Sequence, residues 1–492
     1  MIILAIILAA IYILALVFIA VYAALEFHLL YCYLRNHRRI SAHRPHPVEN
    51  WPIVTVQLPV YNELYVVERL IDAVCRLEYP VGKLEIQVLD DSTDETREII
   101  ANKCAYYGAR GIPITHIHRS ERNGYKAGAL KEGLLTAKGE FITIFDADFL
   151  PQPDFLKKCI PYFEDPKVGV VQTRWEHINE AYSLLTRLQA FQLNVHFTIE
   201  QSGRQAGGYF LQFNGTAGTW RRQAIDDAGG WHSDTLTEDL DLSFRAQLKG
   251  WKILYLQDIG SPSELPAEMN GLKSQQARWM KGGAEVARKL IPLIWSSDLG
   301  FWSKAHAIIL LLGSSIFLFV LALGITSLPL AFLLSRYGIS PKIFAFGLLG
   351  TFSIILIHFI VHVWILRQKL SPASSILRFL ALFPLFLSFS MGLSLHNSIA
   401  AVQGWRGKKS AFERTPKFNI KTIRDRLSHH KYLSHRLSWV TLAEGIMAAY
   451  FIFGVCYGII THQTTFVPFH LVLSIGFTGI FIYTLIHLRL KN

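Results

Sequence analysis

The sequence predicts an α/β domain inserted between transmembrane α-helices, the arrangement of a multi-pass membrane protein. Three observations predict it. Of the 492 residues, 51% are hydrophobic and 17% charged, with a mean hydropathy of +0.28, which is too apolar and charge-poor for an ordinary soluble multidomain protein. Several apolar runs approach or exceed the roughly 20 residues that cross a bilayer as a helix. Between Trp51 and about Lys289, short β-branched runs alternate with helical patterns, the βαβ rhythm of a doubly wound, mostly parallel sheet.

The membrane elements come first and last. Ile2–Leu30 lacks a basic leading segment, is far longer than the apolar core of a signal peptide, and is followed at once by Arg35, Arg38 and Arg39, so residues 1–34 read as a retained anchor with its amino end outside. Residues 305–366 hold two further expected spans, Ile308–Ser335 and Ile343–Leu366, and residues 437–490 hold two more, Leu437–Ile460 and Phe466–Leu488. Lysine and arginine number 49 against 37 acidic residues, a net charge of +12. Much of the excess flanks the apolar runs, at Arg35–Arg39, Arg406–Lys409 and Lys417–Arg436, and this places those segments, and the polar domain with them, on the cytosolic side.

The run Ile376–Val402 carries Arg378 and several Ser, Gly and Pro residues. A full crossing there would put the basic stretch Arg406–Arg436 outside, so residues 370–404 are expected to form an interfacial or half-membrane helix. Residues 405–436 then form a cytosolic segment, the carboxyl terminus is cytosolic, and the protein is integral to a plasma or inner membrane. Nucleic acid is excluded as a partner, because no zinc spacing, RNP motif or Arg-rich helix accompanies the charge. The cysteines Cys32, Cys75, Cys104, Cys159 and Cys456 lie far apart and support neither a disulfide framework nor a zinc site.

Within the polar domain, residues 50–262, strands are expected at Ile53–Leu58, Glu85–Leu89, Ile114–Ile117 and Phe141–Phe145. Ligands of such sheets bind beyond the carboxyl ends of the strands, and three strands end in unusual polar residues: Pro59–Glu63, Asp90-Asp91-Ser92 and Asp146-Ala147-Asp148. Asp after a strand is often only a turn former or helix cap. Asp146 and Asp148 are the sharper signal, since two carboxylates so spaced on non-helical chain can share a divalent ion such as Mg²⁺ with phosphates and water. A solvated acidic turn is the alternative.

Lys126, in Asn123–Gly128, can face a diphosphate or simply decorate a helix-opening turn; the segment fits neither a P-loop nor a dinucleotide fingerprint. Asp239, in Thr237-Glu238-Asp239, is the candidate general base for an attacking hydroxyl. In residues 263–300, read as interfacial helices, Arg278 offers a planar fork for phosphate oxygens and Trp279 a face for a sugar ring. An interfacial anchor with a snorkelling Arg explains the same pair.

The ordered set Asp90-Asp91, Asp146-Ala147-Asp148, Thr237-Glu238-Asp239 and Gln275-x-x-Arg278-Trp279 resembles the D, DxD, TED and QxxRW signature of the processive family 2 glycosyltransferases of the cellulose synthase and cellulose-synthase-like type. Phe213–Gly218 resembles the acceptor motif of the mannan and glucan synthases, and Phe412–Lys417 resembles the gating loop FxVTxK, with Arg414 in place of Val. The resemblance implies a GT-A fold. It implies a nucleotide held by Tyr61, Glu63, Asp90, Asp91, Lys126 and Asp146, and Mg²⁺ or Mn²⁺ at Asp146 and Asp148. It further implies Asp239 as base, Gln275 and Arg278 at the diphosphate, Trp279, Asn214 and Glu238 at the acceptor, and a loop closing through Phe412, Thr415 and Lys417.

The function so implied is inverting transfer of a hexose from a nucleotide-diphosphate sugar, UDP-glucose or GDP-mannose, to a growing β-linked polysaccharide, with export through the bilayer. Transfer of a single sugar to a membrane lipid is the alternative, and a transporter with a regulatory domain is the non-enzymatic one. His358 and His362, one turn apart in a span, have no third ligand nearby and read as satisfied or interfacial residues. Glu444, within a later span, requires an ion pair, a hydrated path or the interface.

Overall fold

A computed structural model describes residues 2–41, 45–336, 347–366, 371–425, 427, 431–432 and 437–489. Seven strands form one sheet: β1 (Val54–Val60), β2 (Leu84–Asp90), β3 (Ile114–His118), β4 (Phe141–Ile144), β5 (Val168–His177), β6 (Gly218–Arg221) and β7 (Lys252–Ser263), in the spatial order β3-β2-β1-β4-β6-β5-β7. Helices Val67–Val74, Thr96–Gly108 and Tyr125–Thr136 connect the first four strands, which run parallel. β1, β4 and most of β2 are buried because helices cover both faces of the sheet, while β3 at the edge is only partly buried. The polar residues inside them pair across the sheet, Gln57 with Gln87 at 3.0 Å and Thr143 with Thr219 at 2.8 Å, which removes the cost of burying them.

The sheet is mostly parallel, as expected, with one antiparallel strand set into it. β6 runs antiparallel to both β4 and β5, and four residues rich in no periodicity give a sequence reading nothing to detect. β5 and β7 then pair in parallel at the far edge.

Among the described residues, five helices are long and apolar enough to cross a membrane: Ile3–Asn36, Phe301–Leu334, Pro372–Gly392, Trp439–Ile460 and Thr464–Leu488. Gly350–Ile365 is a shorter apolar helix. The start of the expected span Ile343–Leu366, the basic turn Arg367–Lys369 and much of the basic stretch between 426 and 436 lie outside the described residues. The stretch expected as one interfacial helix is two, Pro372–Gly392 and Ser394–Trp405, and the first has the length and apolarity of a span. Both its ends meet the side of the molecule that holds the α/β domain: Arg378 donates to Glu180 at 2.9 Å, and after Leu393 the chain lies along helix Met269–Ser296, where His396 bonds the Lys273 carbonyl at 3.0 Å.

The α/β domain and the first membrane helix are in direct contact. Gly203 approaches Leu29 so closely that a Cβ would stand 2.6 Å from the Leu29 carbonyl oxygen, so any larger residue would push the two apart. Glu444 is ion-paired, its Oε2 lying 2.6 Å from Lys273 Nζ. His358 and His362 bond the carbonyls of Ile354 and Phe191 and pack on the Phe191 ring.

Candidate functional site

The carboxyl ends of β1, β2 and β4 open into one cleft, closed opposite by helix Met269–Ser296 and by residues 412–417. Tyr61 and Glu63 enter from β1, Asp91 from β2, and Asp146 and Asp148 from β4. Lys126, Asn214, Glu238, Asp239, Gln275, Arg278, Trp279, Phe412, Thr415 and Lys417 complete it. Chain segments separated by up to some 350 positions therefore meet in one place. Of the residues picked out in the sequence, Asp90 alone is not brought to the cleft. Its carboxylate is fully buried and taken up on the far side of the strand end, by His116 Nε2 at 2.9 Å, His118 Nδ1 at 3.1 Å and the Ser92 amide at 2.8 Å. Alternate residues of a strand face opposite ways, so only its neighbour Asp91 reaches the cleft, where Arg119 grips both oxygens at 2.7 and 2.6 Å.

Both carboxylates of the Asp146-Ala147-Asp148 pair face a lysine. Lys126 Nζ lies 2.6 Å from Asp146 Oδ1 and donates also to the Gly215 carbonyl at 2.9 Å, with Glu238 at 3.9 Å. Lys417 Nζ lies 2.8 Å from Asp148 Oδ2, which also accepts the Glu264 amide at 3.2 Å. These are hard, acceptor-only oxygens in a place that already attracts positive charge, so the donor set fits Mg²⁺ or Mn²⁺.

Asp239 opens helix Glu238–Leu248, where its Oδ1 accepts the Leu240 amide at 2.9 Å. Burial, and next the neighbouring Glu238, push its carboxyl up to about 7, since a crowded acidic site disfavours a second negative charge. Burial likewise raises Glu63 to about 8, against the pull of Arg414, whose Nη1 lies 3.3 Å away. Burial opposes the charge of Lys126 too, but Asp146 and Glu238 outweigh it and hold the ammonium above its ordinary value.

Residues 412–417 lie across the cleft mouth. Arg278 donates to the Glu413 carbonyl at 2.8 Å, meets Thr415 Oγ1 at 3.5 Å, and stands 4.7 Å from the centre of the Phe412 ring. The ring packs against Tyr125. Arg414, where the loop motif has Val, is explained by its surroundings: it faces Glu63 and lies 3.9 Å from the centre of the Tyr432 ring. Sequence reasoning missed Arg122, Glu264 and Arg119. Arg122 stacks 3.5 Å from the centre of the Tyr61 ring, and Glu264 pairs with Arg69 at 2.8 Å while accepting the Phe418 amide at 2.9 Å. None of the three carries a local signal in the sequence. Among the described residues, a second cluster, His232, Asp234 and Asp241, is already filled by the Lys289 ammonium at 2.9 to 3.2 Å.

Residues 52–282 match the family described as "Glycosyltransferase like family 2". Glucomannan 4-beta-mannosyltransferase 7 of Arabidopsis thaliana is 44% identical over 261 residues, 52% of this chain and 47% of the relative. Glucomannan 4-beta-mannosyltransferase 1 of Oryza sativa subsp. japonica is 43% identical over 264 residues, 52% of this chain and 51% of its own. The chain thus spans about half the length of the curated relatives it matches. A solved structure of the mannosyltransferase PcManGT from Pyrobaculum calidifontis, in complex with GDP-Man and Mn²⁺, aligns over 80% of this chain and 100% of its own, with a TM-score of 0.53 at 20% identity. The mixed sheet, the cleft at its carboxyl edge and these matches lead to one conclusion: the chain carries a family 2 glycosyltransferase domain, built on the GT-A fold, at residues 52–282.

Proposed function

We propose that the chain transfers a mannosyl unit from GDP-mannose to a hydroxyl of a growing β-linked mannan or glucomannan, inverting the anomeric carbon, and that the product leaves through the membrane helices. The observation that carries this reading is the convergence in one cleft of Asp146, Asp148, Asp239, Arg278 and Trp279. The mannosyl preference rests on the names of relatives 43–44% identical over the domain. The catalytic domain faces the cytosol, with the amino terminus outside and the carboxyl terminus cytosolic.

In this reading the acceptor sugar stacks on Trp279, which offers a broad apolar face. Its hydroxyl oxygen attacks the anomeric carbon while the bond to the diphosphate breaks, the electron pair leaving on the phosphate oxygen. The hydroxyl proton passes to the Asp239 carboxylate. One displacement from the opposite face inverts the centre. Arg278 lies against the leaving diphosphate and meets its charge as it grows. Tyr61, Glu63 and Asp91, with Arg122 behind Tyr61, hold the nucleotide, and residues 412–417 exclude water. A divalent cation held by Asp146 and Asp148 would supply further charge neutralisation at the diphosphate.

The full chain in lipid nanodiscs, given radiolabelled GDP-mannose or UDP-glucose with Mg²⁺ or Mn²⁺, tests this. Water-soluble polymer cut by a β-mannanase is expected from GDP-mannose, and Asp239→Asn lowers its rate at least about 100-fold. Label recovered as a single-sugar lipid in the organic phase overturns the proposal.

A further inference from the structure

A chain of polar side chains runs from the first membrane helix to the wall of the cleft, and the displacement itself uses none of its inner members. It ends at Asn214, whose backbone amide donates to Gln172 Oε1 at 2.8 Å. The side-chain Oδ1 accepts from Gln212 Nε2 at 2.8 Å and faces His196 Nε2 at 3.4 Å. Its Nδ2 is buried and has no hydrogen-bond partner in the protein. A buried N–H left unpaired is costly, and Asn214 lines the cleft.

The other ring nitrogen of His196, Nδ1, is 2.8 Å from Glu200 Oε2. Burial opposes the charge of Glu200, but His196 and Arg204 outweigh it and hold the carboxyl well below its ordinary value. Arg204 reaches Glu200 at 3.5 Å and, with its other nitrogen, Glu26 of the first helix at 3.3 Å. Residues His196–Glu200 form a turn of π-helix inserted between α-helical turns, a distortion frequent at functional sites. The Nε2 edge of the imidazole faces an amide oxygen, an acceptor, so it is an N–H at Nε2 that this contact calls for.

We propose that His196 is a positioning residue for the acceptor: by donating to Asn214 Oδ1 it keeps Nδ2 turned to the cleft, where that N–H donates to a hydroxyl of the acceptor glycan. An amide is nearly symmetric in shape, and its orientation is set by what it bonds. Without His196 only Gln212 holds the Oδ1 end, and Gln212 can itself turn over to suit the reversed amide. This inference rests on the glycosyltransferase reading above.

The test uses the full chain in nanodiscs with GDP-mannose and β-1,4-mannotetraose, measuring acceptor KM and, without acceptor, hydrolysis of the donor. His196→Leu and Asn214→Asp are each expected to raise acceptor KM about fivefold or more, the loss of one hydrogen bond, and His196→Leu is expected to leave donor hydrolysis within twofold. His196→Gln, which can still donate to Oδ1, is expected to restore KM to within about twofold of the parent. Unchanged acceptor KM in Asn214→Asp, or equal KM in the Leu and Gln variants at position 196, overturns the inference. A parent protein that elongates no acceptor overturns the glycosyltransferase reading instead, so the two failures are distinct.

Discussion

Gly215 shows how little room the cleft leaves at single positions. Its φ is +80°, and a Cβ there would lie 2.8 Å from Asp239 Oδ2 and 3.4 Å from Lys126 Nζ. Gly215→Ala is therefore expected to strain the backbone and push against the proposed base, lowering turnover by about tenfold or more while the thermal midpoint falls only a few degrees. Asp239 sets the pH behaviour. Its carboxyl, raised to about 7, must be ionised to take the hydroxyl proton, so the active form is lost as pH falls. The expected profile of kcat/KM is flat above about pH 7 and falls tenfold per unit below it, measured with the parent enzyme across pH 5 to 9. Arg122 and Glu264 were not legible as site residues because their partners, the Tyr61 ring and the Phe418 amide, lie 61 and 154 positions away. No local pattern encodes such a distance. The aspartates were legible because β-branched strands of the right length end at them, and Asp90 misled because the neighbouring residue of a strand end looks the same in sequence yet faces the other way.

The elements β1 to β4 and their helices could be read from the sequence pattern, since β1, β2 and β4 are largely buried apolar runs and each connection is helical. β6 could not, having four residues and Gly218 at its start. The helix Pro372–Gly392 has the composition of a span, yet both its ends touch the catalytic side. It is expected to enter the bilayer without crossing. An epitope inserted near Ser410 should then be invisible to antibody outside intact cells and visible after permeabilisation; staining of intact cells would refute it. Residues 412–417 reach the cleft in the structure, on the side of the catalytic domain, which is the placement this topology requires.

For the molecule as a whole, sheet, membrane helices and terminal segments are tied by specific contacts rather than by a loose linker: Gly203 on Leu29, Arg204 on Glu26, Lys273 on Glu444. Removing one partner of the last pair leaves a buried charge exposed to lipid-like surroundings, so Lys273→Met is expected to lower the melting temperature in detergent more than Lys273→Met with Glu444→Gln does. Chelation of divalent ions is expected to abolish transfer reversibly, restored by Mn²⁺ or Mg²⁺. The lysines at Asp146 and Asp148 carry a further consequence. An ammonium that neutralises a carboxylate competes with any cation seeking the same oxygen, so Lys417→Met is expected to bind Mn²⁺ more tightly, read by titration calorimetry without substrate. In the resting protein the amines of Lys126 and Lys417 thus already sit on oxygens of Asp146 and Asp148 that a cation would have to win from them.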